Sequence, residues 1–410
     1  MGDNLFGDFF RSSTSSNSAR LQAICAMFTL IPILIFISNG PKVALATQEV
    51  TVYRMNHHDW LGNPYGSRSS LMNLEMRTAA TLSRSYAKKC LLLKIDEIIN
   101  STENFEDFIT NPMVGGMLII IPDSFAKIGD EKRSKLLTLE KSLNSRSFDI
   151  PIYFVKEDAN LIYMYQELSK ESTDEAKTDQ FIGADILNAI TLDGYQLSIS
   201  GPPPKPINEP IITNIETKLV GSKPDDQSTI VVVAHNDAFG ISPGLSFGGD
   251  SNGSGVVALL ELVRIFSKLY ATRKVKPSFN LVFLLSGAGK FSYLGTKKWI
   301  EEHMDIKESG LLGDVQVSIC LDSLGSLPDN SIYAHVPRVP KETTTTFKLF
   351  NHLSEIASKK DINATFVPKK TFLSDDLLNW EHDRFIQRRI PALTLSSLQN
   401  PKSLSRNKIQ

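Results

Sequence analysis

Short apolar runs and longer amphipathic stretches alternate along most of this chain. Residues 90–95 (CLLLKI), 117–122 (MLIIIP) and 150–155 (IPIYFV) are too short for buried helices and predict buried strands, with 49–55 as a further strand. Between them, 98–109, 131–143 and 159–169 carry apolar residues three and four apart with charged opposite faces, which predicts helices. That order predicts a small α/β layer. After the proline-rich break 201–206 (GPPPKP) the alternation resumes. Strands are predicted at 211–219, 229–233, 280–285 (NLVFLL), 315–321 (VQVSICL), 331–336 and 391–395, and helices at 256–270, 291–304 and 343–359. In the first of these helices Val256, Leu259, Leu260, Val263 and Phe266 share one face. The expected architecture is an α/β sandwich on a mostly parallel sheet, preceded by a smaller α/β domain. The predicted organisation is a smaller domain over 47–200, a linker over 201–210, a larger domain over 211–400 and a polar tail over 401–410.

The first 46 residues stand apart. Residues 1–20 are serine-rich and carry Arg11 and Arg20, and 21–37 are apolar except for Gln22 and Thr29. Ala44-Leu45-Ala46 follows as a small-x-small site, the pattern of a secretory signal or, with Pro32 inside a long apolar core, of an uncleaved signal anchor. In either case the bulk of the chain is translocated. The sequons at Asn100, Asn252 and Asn363 then become acceptor sites for N-glycans. No second apolar stretch reaches the roughly 18 residues that cross a bilayer.

Composition adds exclusions. With 44 Lys and Arg against 45 Asp and Glu the formal net charge is −1, so no nucleic-acid footprint is present. Cys25, Cys90 and Cys320 are too few for a disulfide framework and lack zinc-finger spacing. His57-His58 is the densest histidine pair, but neighbours on a strand point to opposite faces, which argues against a joint metal site.

Candidate chemistry concentrates at 231–255 (VVVAHNDAFGISPGLSFGGDSNGSG), where a strand ends in His235 and Asp237 and a Gly-rich loop opens a helix. Open α/β sheets build sites in the crevice at such strand ends. Ala-His-x-Asp after a strand, a loop ending in Ser254-Gly255, and Trp299-Ile300-Glu301-Glu302 closing the next helix resemble the co-catalytic di-zinc aminopeptidases over about 211–398. The strings 53–55 (YRM), 234–240 (AHNDAFG), 249–255 (GDSNGSG) and 380–385 (WEHDRF) are similar to the nicalin family, membrane proteins of the endoplasmic reticulum related to nicastrin.

The resemblance implies five ligand positions for two metal ions about 3.5–4 Å apart and a carboxylate base for the bridging water. His235 falls at the first ligand position and Asp237 where an acid would orient that imidazole. Ser251 falls where an aspartate bridges the metals, with Asp250 one residue early and leaving the loop in another direction. Gly289 falls at the base and Lys290 at a ligand of the second metal. Asp322 matches the fourth ligand and His382 the fifth. Two ligands for one metal and one for the other fall short of the three that catalytic zinc takes. No cofactor and no catalytic residue are therefore expected, and the His235–Asp237 pair is expected to persist as a hydrogen-bonded structural remnant.

By resemblance the chain is a pseudopeptidase scaffold of the endoplasmic reticulum, its bulk lumenal. The implied partners are the Nodal modulator protein and a small multi-pass membrane protein, acting at the translocon in multi-pass insertion and in restraint of Nodal signalling. The alternative is a residual aminopeptidase with one zinc on His235, Asp322 and Asp250. A glycan on Asn252 would sit over the former cleft. The resemblance also implies a C-terminal membrane helix, which the residues up to Gln410 do not contain, and further chain over the face at 393–398.

Overall fold

The computed structural model describes residues 48–58, 65–67, 69–79, 82, 87–100, 105–122, 129–143, 146–175, 195–207, 211–222, 228–272, 276–305, 315–326, 330–371 and 378–401. The signal-like segment 1–46 and residues 402–410 of the polar tail lie outside them. Among the described residues no helix is long and apolar enough to cross a membrane. One compact unit holds Val52–Thr173 with Tyr195–Gln410, and the other, Met1–Thr51 with Asp174–Gly194, lies almost wholly outside the described residues.

The smaller layer is built from β1 (Val52–Arg54), β2 (Gly66–Ser67), β3 (Met72–Arg77), β4 (Lys89–Lys94), α1 (Ile95–Asn100), α2 (Phe105–Thr110), β5 (Val114–Ile121), α3 (Asp130–Leu143), β6 (Ser147–Phe148), β7 (Ile152–Lys156), α4 (Ala159–Glu175) and β8 (Gln196–Ile199). Six of the strands form one sheet in the order β1-β7-β5-β4-β3-β8, parallel in its centre and antiparallel at both edges. β4, β5 and β7 are buried on both faces, as continuous apolar runs require. The helix expected over 98–109 is instead two short helices, α1 and α2, the first of which starts directly at the end of β4.

The larger layer follows as β9 (Ile215–Leu219), β10 (Thr229–His235), α5 (Gly255–Ala271), β11 (Asn280–Ser286), α6 (Leu294–Asp305), β12 (Val315–Leu321), β13 (Ser331–Val336), α7 (Thr345–Ser358), β14 (Asn363–Pro368), α8 (His382–Gln387) and β15 (Ala392–Ser396). Its seven strands run in the order β14-β13-β15-β12-β10-β11-β9. The pairs β10/β11, β10/β12, β12/β15 and β13/β14 are parallel, and only β9/β11 and β13/β15 are antiparallel. The chain passes from β10 to β11 on one side and then to β12 on the other, which opens a crevice at the carboxyl end of β10.

Alternate residues of the central strands serve two cores. Val231, Val233, Val282, Leu284 and Cys320 pack with Trp299 and Phe385 under α6 and α8. Val232, Ala234, Leu281, Phe283 and Leu321 pack with Leu259 under α5. The face at 393–398, expected to lie open, is covered: Leu393 is buried in a cluster with Val317 and Val336, against which Leu349 of α7 and Phe366 of β14 pack. Leu398 is also tied down, its carbonyl 2.8 Å from Nε2 of His335.

Candidate functional site

Strand alternation aims the site. His235, two residues after Val233, falls on the α6/α8 face, and Ser286 after Leu284 and Asp322 after Cys320 fall on the same face. His235 and Ser286 are direct partners in the β10/β11 register. The ends of three neighbouring parallel strands thus present an imidazole, a hydroxyl and a carboxylate together, and all three residues are buried.

Around His235 the environment is not the one its motif suggests. Asp237 accepts the backbone N–H groups of Gly289 at 2.6 Å and Lys290 at 2.8 Å, and it makes no hydrogen bond to His235. The expected His235–Asp237 pair is therefore corrected, because the carboxylate is committed to the turn after β11. Nδ1 of His235 instead lies 3.7 Å from Oε2 of Glu381, whose Oε1 accepts the hydroxyls of Ser286 at 2.7 Å and Thr296 at 2.5 Å. Asn252 packs on the other side. Its Nδ2 donates to the carbonyls of His235 at 2.9 Å and Leu321 at 3.0 Å, and its Oδ1 accepts from the Ser323 N–H at 3.3 Å. Two carbonyls use both amide hydrogens, so the 3.3 Å approach of Nδ2 to the His235 Nδ1 is a contact without a hydrogen of its own. The Tyr293 ring stands edge-on to the imidazole at 5.5 Å. Nε2 of His235 and Oε2 of Glu381 are buried without a hydrogen-bond partner.

Gly289, where the resemblance expects a base, lies against His235. A Cβ at this position would lie 2.3 Å from both Cβ and Cγ of His235. The space a glutamate would enter is filled by the imidazole.

On the loop before α5, Ser251 points into the site and Asp250 away from it. Lys290 Nζ donates to Ser251 Oγ at 2.5 Å, and Ser251 Oγ donates to Asp322 Oδ1 at 3.1 Å. The same Oδ1 accepts from Ser323 Oγ at 2.7 Å. Asp250 Oδ1 accepts from the Gly325 N–H at 2.9 Å, and the Asp250 backbone carbonyl accepts from Ser254 Oγ at 2.6 Å. Ser254 precedes α5 without capping it by its side chain; its hydroxyl also accepts from the Leu324 N–H at 2.7 Å.

His382 is drawn elsewhere. Its Nδ1 lies 2.9 Å from Thr394 Oγ1 and its Nε2 3.6 Å from Asp383 Oδ1. Burial pushes its pKa down to about 4, against a smaller opposing effect of Asp383, so the ring is neutral at neutral pH. Among the described residues no three His, Cys, Asp or Glu side chains converge as a metal group. With the Lys290 ammonium hydrogen-bonded to Ser251 and the imidazole of His235 against Gly289, the donor set that the resemblance implies does not fit a pair of zinc ions.

Two residues make contacts in the site that their sequence context did not indicate. Glu381 was submerged in the charged run 381–389, although its neighbour His382 turns away and leaves it facing His235. Asn252 read as a sequon, yet it is 1% exposed with Nδ2, the atom a glycan would take, between two carbonyls. This corrects its assignment as an acceptor. Asn363 is exposed at the start of β14, and the side chain of Asn100 lies outside the described residues.

The model of peptidase family M28 matches residues 214–406. The chain is 36% identical over 397 residues to the BOS complex subunit NCLN of Gallus gallus, covering 95% of this chain and 69% of that protein. It is 37% identical to the corresponding Danio rerio subunit, over 93% of this chain and 66% of the relative, and so spans about two thirds of these relatives' length. A zinc aminopeptidase of Bacillus subtilis aligns over 86% of this chain and 70% of its own, at 15% identity and a TM-score of 0.36. That last likeness is too distant to inform the site. The identity to the NCLN subunits is not confined to the peptidase-like sheet but runs through the smaller layer as well, and on that ground the chain belongs to the nicalin family, whose larger layer is a peptidase M28 fold.

Proposed function

We propose that this chain is a non-catalytic subunit of the BOS complex, a scaffold of the endoplasmic reticulum membrane whose bulk lies in the lumen. The observation that carries this reading is the Lys290 ammonium at 2.5 Å from Ser251, at the position where an active relative would bridge two metals. A cation there repels a dication, and a lysine must lose its proton before it can bind one. The filled base position at Gly289 supports the same conclusion, since general-base catalysis needs a proton acceptor within reach of the water. The names of the relatives support membership in the complex. Within it, the partners proposed are the Nodal modulator protein and a small multi-pass membrane protein, at the translocon during multi-pass insertion and in restraint of Nodal signalling.

A residual single-zinc peptidase on His235, Asp322 and Asp250 is favoured by one observation, the partnerless Nε2 of His235. The Asp250 carboxylate, however, is engaged by the Gly325 N–H. The deciding experiment measures zinc per chain and hydrolysis of aminoacyl reporters by the purified protein, and in parallel its co-purification with the two proposed partners from microsomes. Co-purification without zinc or turnover is the expected result. Stoichiometric zinc with turnover, both lost in His235→Ala, would overturn it.

A further inference from the structure

A buried carboxylate needs hydrogen bonds and a countercharge to stay ionised. Asp322 is 1% exposed at the end of β12, and Oδ1 alone accepts two hydroxyls, from Ser251 and Ser323. The Ser251 hydroxyl has a single hydrogen, and it goes to Asp322; the serine oxygen then accepts from Lys290 Nζ. Lys290, Ser251 and Asp322 form a chain of one polarity, ammonium to hydroxyl to carboxylate, in which each bond strengthens the next. The root of Lys290 is fixed as well, because Asp237 holds its backbone N–H at 2.8 Å. This chain joins the turn after β11, the loop before α5 and the end of β12. Those are the segments that metal ligands would draw together at this crevice.

We propose that Lys290 is a built-in cation: its ammonium supplies, through Ser251, the positive charge that holds Asp322 and the three strand-end segments together, so that the site is a clasp independent of metal. The inference rests on the non-catalytic reading and deepens it. The polarity also separates it from a serine–lysine hydrolase dyad, in which the serine hydroxyl must give its proton to the amine. Here the serine proton is held by Asp322 and the nitrogen is the donor.

The test follows the melting temperature of the purified full chain with excess EDTA, with added zinc, and in the variants Lys290→Met and Lys290→Met/Asp322→Asn. Neither EDTA nor zinc shifts the wild-type Tm, Lys290→Met lowers it by about 5–10 °C, and adding Asp322→Asn recovers at least half of the loss because the unpaired buried charge is gone. If Lys290→Met fails to fold, recovery of soluble protein in the double variant supports the clasp and its failure to recover overturns it. A wild-type Tm in Lys290→Met overturns the clasp while leaving the non-catalytic reading in place. A wild-type Tm that rises with zinc and falls with EDTA, accompanied by turnover, overturns both.

Discussion

The side-chain amide of Asn252 joins three backbone segments, at His235, Leu321 and Ser323, using both hydrogens and its oxygen. Replacing it with alanine leaves two carbonyls and one N–H without partners in a buried place, which costs about 2–4 kcal/mol. Urea midpoints of Asn252→Ala and wild type measure this, and Asn252→Asp should lose nearly as much because a carboxylate cannot donate. In protein purified from microsomes, glycopeptide mapping should find Asn252 bare. His382 sets a pH dependence of its own. Its folded pKa, about 4, lies below the roughly 6.5 of an unfolded histidine, so the unfolded chain binds more protons between those values. Stability is therefore full above about pH 6.5 and falls as the pH drops toward 4, by an amount on the order of 3 kcal/mol. In His382→Asn the difference between urea midpoints at pH 7 and pH 4.5 should shrink accordingly.

Among the elements, the loop after β10 reaches furthest. Ile241 and Leu245 sit in the core of the smaller layer with Met55, Met117 and Phe154. Asn56 donates its backbone N–H to the Ile241 carbonyl at 3.0 Å and its amide to the Gly240 carbonyl at 2.6 Å, and Glu140 of α3 accepts the Ile241 N–H at 3.3 Å. Ile241→Ala and Leu245→Ala should each cost about 2–4 kcal/mol. Backbone amides of β5 in the smaller layer and β10 in the larger should then lose hydrogen-exchange protection together; loss confined to one layer would contradict the shared core. The fold itself was largely legible, because β4, β5, β7, β10 and β11 are short apolar runs bounded by polar stretches and β12 (VQVSICL) is a mostly apolar, β-branched-rich segment of strand length. β3 (MNLEMR) and β8 (QLSI) were not, since neither is a β-branched or continuous apolar run, and they are placed by pairing, β3 with β4 and β8 with β3. β14 begins in the sequon at Asn363 and lies at the sheet edge beside β13, so burial left little mark on it.

At the scale of the whole molecule, legibility divides by distance along the chain. The positions of His235, Gly289, Lys290 and Asp322 at or just beyond strand ends, and of Ser251 on the loop before α5, could be read from local motifs. What each side chain touches could not: Glu381 reaches His235 from α8's leading edge, and Asp237 spends its charge on a turn 52 and 53 residues away. Such partners are fixed by the crossovers β10 to β11 to β12 and by α8 packing under the sheet, which no local window contains. The smaller layer likewise completes its core with residues borrowed from the larger one. The proline-rich stretch after residue 200 therefore interrupts the chain without separating two independent cores.

The contact between Gly289 and His235 also bears on how this lineage can change. A single exchange of Gly289 for glutamate would place the first carbon of the new side chain 2.3 Å from the imidazole it was meant to assist. Recovering the acid would first demand that His235 move, and His235 is enclosed by Asn252, Tyr293 and Glu381. At this position, then, a carboxylate cannot be introduced by one exchange without displacing a buried, enclosed ring.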